Sequence, residues 1–184
     1  MKALRYFGER DIRHDSMEDP KLESDRDAIV QMTACSICGS DLHIYHGHGF
    51  SEDTGFCVGH EAVGEVVEVG RAVTRVKVGD KVMMPAAVGC GACRSCLSGV
   101  VNNCENNGSG CYGLSARLQG VQAEAFRVPA ADMNAVKIPE GISEDQALMM
   151  TDAMATAWFG ARNADIRPGS SVGVIGLGPI GLMT

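Results

Sequence analysis

Cys90-Gly-Ala-Cys93-Arg-Ser-Cys96-(x7)-Cys104 is the stretch on which the reading of this chain turns. Four thiols at C-x2-C-x2-C-x7-C spacing can close a tetrahedral S4 shell around one Zn²⁺, because the two-residue steps let the backbone fold back on the metal. Nearby glycines at 89, 91 and 99 supply the freedom such sharp turns need. A disulfide framework is the other use of clustered cysteines. Nothing N-terminal looks like a secretory signal, which argues against an oxidising compartment and makes the cytoplasm the expected location.

The surrounding composition sets limits. The 184 residues suffice for one good core and the beginning of a second domain. Apolar residues make up 45% and charged residues 21%, the balance of a globular protein. No apolar run approaches the roughly 20 residues that span a bilayer, so no membrane partner is expected. The formal net charge of −7 gives nucleic-acid binding little electrostatic support. That argues against a zinc ribbon, since the cysteine loop carries one basic residue, Arg94, and no aromatic one.

From Met1 to about Ile138 short β-like runs alternate with turns. Strands are expected at Lys2–Tyr6, Ala28–Thr33, Val63–Val69, Lys81–Met84, Gln122–Val128 and Ala135–Ile138, which suggests a barrel or sandwich. The character changes near Pro139-Glu-Gly141. Ser143-Glu-Asp-Gln146 is a capping box that opens a helix, and a second helical stretch runs from about Ala153 to Ala164. Arg167-Pro-Gly169 is a turn, and Ser171–Ile175 reads as an apolar, β-branched strand. Gly176-Leu-Gly178-Pro179-Ile180-Gly181 follows it directly. In that position G-x-G-x-x-G opens a Rossmann unit: Gly176 makes the tight turn, Gly178 admits a pyrophosphate, and Gly181 allows close helix–strand packing. The phosphates would then meet a helix N-terminus.

A second constellation carries metal-ligand chemistry. Cys38-Gly-Ser40-Asp41-Leu-His43 precedes Gly59-His60-Glu61, and Asp152 lies between the two helical stretches. Cys, His and carboxylate together suit a catalytic Zn²⁺ with one position open to water or substrate. Each residue also has an ordinary reading. Cys38 can be a small core residue, His60 a core histidine, Asp152 a helix N-cap and Glu61 a solvated strand-end charge. Cys35-Ser-Ile-Cys38 can be read as a redox pair, although Cys38 as ligand and Cys35 as buried thiol is preferred. His46 and His48 can be read as a further metal site, although loop residues near the substrate cleft are preferred, and Cys57 and Cys111 have no assigned role.

Taken in order, Cys38-Gly-Ser-Asp-Leu-His43, Gly59-His60-Glu61, Val78-Gly-Asp-Lys-Val82, the four-cysteine loop and Gly176-Leu-Gly-Pro-Ile-Gly181 make the whole chain resemble the zinc-dependent alcohol dehydrogenases of the medium-chain dehydrogenase/reductase superfamily. Ala131-Asp-Met-Asn134 with Thr151-Asp152-Ala-Met-Ala-Thr156 looks most like the bacterial secondary-alcohol branch, many of whose members lack the cysteine loop. The resemblance implies a mainly β fold. Residues 1–150 would form a GroES-like, partly open β-barrel catalytic domain with a zinc loop. Residues 151–184 would hold a connecting helix and the first strand and Gly-rich turn of an incomplete Rossmann domain.

The same resemblance implies the roles. Catalytic zinc falls to Cys38, His60 and Asp152, with Glu61 a ligand in some states. Ser40 is the hydroxyl beside the substrate oxygen, and His43 is the outer proton-relay group. Cys90, Cys93, Cys96 and Cys104 hold structural zinc, making two zinc ions per chain. Gly176, Gly178, Pro179, Ile180 and Gly181 bind NAD or NADP. The implied reaction is hydride transfer between a small secondary alcohol or polyol, or its ketone, and NAD(P), in a homo-oligomer (dimer or tetramer). Members of the family are about twice as long, so these 184 residues are expected to be a fragment without hydride-transfer activity of their own. The competing reading is a non-catalytic zinc-binding module with a structural or interaction role.

Overall fold

A computed structural model describes residues 1–106 and 110–184. Its eight strands are β1 (Lys2–Gly8), β2 (Asp11–Ser16), β3 (Ala28–Cys35), β4 (Phe56–Cys57), β5 (Ala62–Val69), β6 (Lys81–Met83), β7 (Ala125–Val128) and β8 (Val136–Lys137). They form two open antiparallel sheets, β2-β1-β4 and β7-β3-β5-β6-β8. Among the described residues the α-helices are α1 (Gly39–Tyr45), α2 (Arg94–Leu97), α3 (Ala131–Asn134), α4 (Glu144–Met150), α5 (Ala153–Asn163) and α6 (Pro179–Met183).

The strand reading holds with shifted ends, and the shifts have causes. The run expected at Gln122–Val128 divides. Ala125–Val128 pairs with β3, while Gln122 and Glu124 make backbone bonds to Leu4 and Lys2 of the other sheet. One segment therefore stitches both sheets together. Two strands were not legible. Polar Asp11–Ser16 lies on an edge and owes its form to the Arg10 turn, and the two-residue β4 is too short for periodicity to show.

The main core lies against the five-stranded sheet, where Val30, Val66, Val82, Tyr112, Phe126 and Val128 are buried. Two satellite clusters position the functional elements. Ile44 of α1 packs with Tyr6, Phe56 and Val58, which seats α1 on the three-stranded sheet. Ala147 and Leu148 of α4 pack on Val63 of β5. Ser143 caps α4 as its sequence predicts, accepting from the Gln146 N–H at 3.2 Å while the Gln146 side chain accepts from the Ser143 N–H at 3.0 Å.

The strand expected at Ser171–Ile175 does not form. The segment pairs with no described strand, and a strand exists only through its ladder. Val172, Val174 and Ile175 stand exposed, and the helix after the Gly-rich turn is the short α6.

Asn134 joins the core to the cysteine loop. Its amide, 1% exposed, donates to the Gly89 and Pro129 carbonyls at 2.8 and 2.7 Å and accepts from the Gly89 N–H at 3.0 Å. Asn134→Ala leaves these buried groups without partners and should cost about 2–3 kcal/mol, seen as a lowered urea midpoint at unchanged slope.

Candidate active site and zinc centres

Three distant segments converge because of how each element starts or ends. Cys38 is the N-cap of α1, with extended backbone angles. His60 and Glu61 sit between β4 and β5. Gly59 before them has φ +91, and a Cβ there would come within 2.4 Å of the Gln122 side chain, so the turn requires glycine. Asp152 separates α4 from α5 at the N-cap position. Its side chain caps no backbone N–H and accepts instead from the Thr156 hydroxyl at 3.0 Å.

One donor atom from each of Cys38, His60, Glu61 and Asp152 lies within 4.8 Å of the others. Cys38 Sγ is 3.7 Å and His60 Nε2 is 3.4 Å from Asp152 Oδ2. Ligands about 2.0–2.3 Å from a tetrahedral ion sit roughly 3.3–3.8 Å apart, so these separations suit Zn²⁺. Burial opposes a charge on His60, but Asp152 and Asp41 outweigh it and raise its pKa to about 11 in the absence of a cation. The same His60 contact lowers the Asp152 carboxyl. Burial pushes Glu61 up, against a hydrogen bond from the Ser36 hydroxyl.

Asp41 is a residue the sequence reading passed over. Its Oδ2 accepts from the Cys38 N–H at 2.9 Å, and its Oδ1 faces His60 Nδ1 at 3.4 Å. Both atoms of that facing pair are buried and lack a well-formed hydrogen bond. A His whose second nitrogen faces a carboxylate has its tautomer and ring orientation set for ligation through the first. The available signal was positional: Asp41 stands three residues after a helix N-cap, where a capping box places an acid.

The four-cysteine loop assembles as well. Cys90, Cys93, Cys96 and Cys104 place their sulfurs within 4.8 Å of one another, with Cys90–Cys96 at 4.0 Å and Cys93–Cys104 at 3.9 Å. A disulfide needs about 2.05 Å, and all eight cysteines are free, so the framework alternative is set aside. Backbone N–H groups point at the sulfurs. Ala92 and Cys93 donate to Cys90 at 3.4 and 3.3 Å, and Cys90 donates to Cys104 at 3.3 Å. The Ala92 bond and its neighbours lower the Cys90 thiol to about 6, whereas burial pushes Cys96 up to about 11. Four sulfurs this close could ionise together only around a cation, and the chemistry of the set fits Zn²⁺.

A cavity of about 650 Å³ opens beside the first cluster. Cys38, Ser40, His43, Glu61 and Asp152 line it together with Gly176, Gly178, Pro179, Ile180 and Gly181. Ser40 Oγ is 3.8 Å from Cys38 Sγ, and His43 is solvent-exposed. Gly176 has φ +96, and a Cβ on Gly181 would strike the Gly176 carbonyl at 1.9 Å, whereas the space over Gly178 is open. That is the shape a pyrophosphate cradle needs. Among the described residues His46 and His48 join no metal-capable cluster, and the His46 ring instead meets the Leu42 carbonyl at 2.7 Å. Cys57 is fully buried, and burial pushes its thiol up to about 12. Cys35 is exposed and belongs to neither cluster, so it is not the buried thiol expected of it.

The alcohol dehydrogenase GroES-like domain matches residues 24–140, more than half of the chain. This chain belongs to that family, among the zinc-dependent medium-chain dehydrogenases/reductases. It is 44% identical over 189 residues to a medium chain reductase/dehydrogenase of Acremonium sp, covering 99% of this chain and 63% of the relative. It is 45% identical over 183 residues to a "probable zinc-binding alcohol dehydrogenase" of Mycobacterium tuberculosis, covering 99% of this chain and 47% of the relative. The alcohol dehydrogenase of Thermus sp. ATN1 superposes on the whole chain with a TM-score of 0.94 at 37% identity, and the match covers 53% of that structure. The chain thus spans about half to two thirds of the length of the proteins it matches.

Asp41→Asn keeps the size and the helix-capping oxygen but turns a donor toward His60. Metal affinity at the Cys38 cluster should fall about tenfold or more, the usual effect of losing such a partner. Chelator competition measures this, with the four-cysteine site as internal control.

Proposed function

We propose that this chain is part of a zinc-dependent oxidoreductase that moves a hydride between a small secondary alcohol or polyol and NAD(P). One observation supports this above the others: the Cys38–His60–Glu61–Asp152 cluster and the Gly-rich turn share one cavity. A non-catalytic zinc module would need only the four cysteines and has no use for a second donor set facing a dinucleotide-type turn.

In this reading Cys38, His60 and Asp152 would hold catalytic zinc, with Glu61 a ligand in some states. Cys90, Cys93, Cys96 and Cys104 hold structural zinc, which makes two ions per chain. Catalytic zinc supplies Lewis acidity of the kind that takes water from a pKa of 15.7 to about 7, worth roughly 12 kcal/mol. Ser40 receives the proton of the substrate hydroxyl and passes it to His43. His43 suits this step because it is exposed on the cavity wall and its imidazole carries both a donor and an acceptor nitrogen. Gly176, Gly178, Pro179, Ile180 and Gly181 would seat the pyrophosphate of NAD or NADP, which would supply the hydride-accepting ring.

We place the domain division at residue 150. Residues 1–150 are the GroES-like catalytic part, and 151–184 open a Rossmann part. A homo-oligomer and a cytoplasmic location complete the proposal. Eight free thiols support a reducing compartment, and no helix among the described residues is long and apolar enough to cross a membrane.

Zinc stoichiometry tests the two-site assignment. Two ions per chain should fall to one in Cys38→Ser/His60→Ala, and one ion in both proteins would remove the catalytic site. Ser40→Ala in the complete enzyme should lose about 10²-fold or more in kcat with zinc content unchanged, the scale of a lost proton-transfer group. Full activity would break the relay.

A further inference from the structure

Glu61 presents a problem that the ligand set does not solve. Its carboxylate is 7% exposed and offers an oxygen within 4.8 Å of the donors of Cys38, His60 and Asp152. Among the described residues no Lys or Arg pairs with it. A thiolate and the Asp152 carboxylate already neutralise a divalent ion, and an adjacent free carboxylate would be drawn in as a fourth ligand. A catalytic zinc must keep that position open.

The Ser36 hydroxyl is the group that competes. It donates to Glu61 Oε2, the one side-chain hydrogen bond this carboxylate accepts among the described residues. Ser36 itself is fixed in place. Its N–H donates to the Glu61 carbonyl at 3.1 Å, and its carbonyl accepts from Gln122 Nε2 at 3.0 Å. Gln122 lies against the Gly59 turn, where even a Cβ would collide with it. The Ser36 backbone is therefore fixed between the ends of β3 and β5, and its hydroxyl meets Glu61 from a set position.

We propose that Ser36 is a positioning residue that restrains Glu61 at the edge of the catalytic metal, so that the fourth position stays open. The proposal rests on the assignment of Cys38, His60 and Asp152 as ligands. With the tether present, Glu61 ligates only when Ser36 releases it. Without it, the carboxylate occupies the fourth position as a resting state. Nothing in the sequence marks Ser36, because its partner lies 25 residues away and the contact exists only in the folded sheet.

Cobalt(II) loaded into the intact protein tests this without turnover. In Ser36→Ala the cobalt d–d bands should shift, the water-proton relaxation enhancement should be lost, and release into a chelator should slow by about tenfold, the scale of outer-shell effects on metal sites. Ser36→Thr keeps the hydroxyl and should resemble the parent. Ser36→Ala/Glu61→Gln should recover the parent relaxation enhancement. Parent-like bands and relaxation in a folded Ser36→Ala protein overturn the tether while leaving the ligand assignment standing. If Cys38→Ser leaves the cobalt content of the parent unchanged, the ligand assignment fails and the tether falls with it.

Discussion

The antiparallel register of β3 against β5 is the constraint on which the site depends. Cys35 pairs with Ala62, and the Ser36 N–H continues the ladder to the Glu61 carbonyl. Two residues further on, Cys38 turns into α1, while His60 and Glu61 lie just before β5. The thiol and the imidazole therefore meet because two strand ends are held side by side. A one-residue slip would exchange the faces of β5, turning Val66 away from the main core and Val63 away from α4. Val63 and Val66 are fully buried on that strand, so the hydrophobic core enforces the register that the chemistry uses.

Charge explains the rest of the architecture around both clusters. Each gathers groups that repel one another when ionised, and each includes fixed dipoles or partners that favour the ionised forms. At the cysteine loop these are backbone N–H groups aimed at sulfur. At the other cluster His60 lies between Asp41 and Asp152, with Nδ1 facing one and Nε2 the other. An arrangement of that kind is costly without a cation and settled with one. The two sites differ in access. The four sulfurs are mostly buried within their own loop, whereas the Cys38 cluster opens on a cavity.

Beyond Asp152 the chain changes character. Residues 171–177 belong to no described strand, and Trp158, Phe159, Ile175, Leu177 and Leu182 are exposed. The Gly-rich turn nevertheless has its shape, because φ +96 at Gly176 and the close packing of Gly181 on its carbonyl are local features. Local turn chemistry forms without a sheet, and a strand does not.

Much was legible from residues alone. Short-range spacing placed the four-cysteine loop, the Ser143–Gln146 cap and the Gly-rich turn, since each closes within about 15 residues and needs no distant partner. Short β-like runs between turns located β1, β3, β5, β6 and β8. Tertiary structure decided what depends on distant neighbours. It made Asp152 a member of the cluster rather than a side-chain cap, divided the run at Gln122–Val128 between two sheets, and left Ser171–Ile175 without a ladder. It also brought in Asp41 and Ser36, which act by facing His60 and Glu61 across the strand ends. Sequence by itself determines the donors and the local turns, because those follow from residue type and spacing. Which donors meet, and what restrains them, is set by strand register and core packing, because those bring together residues as far apart as Cys38 and Asp152.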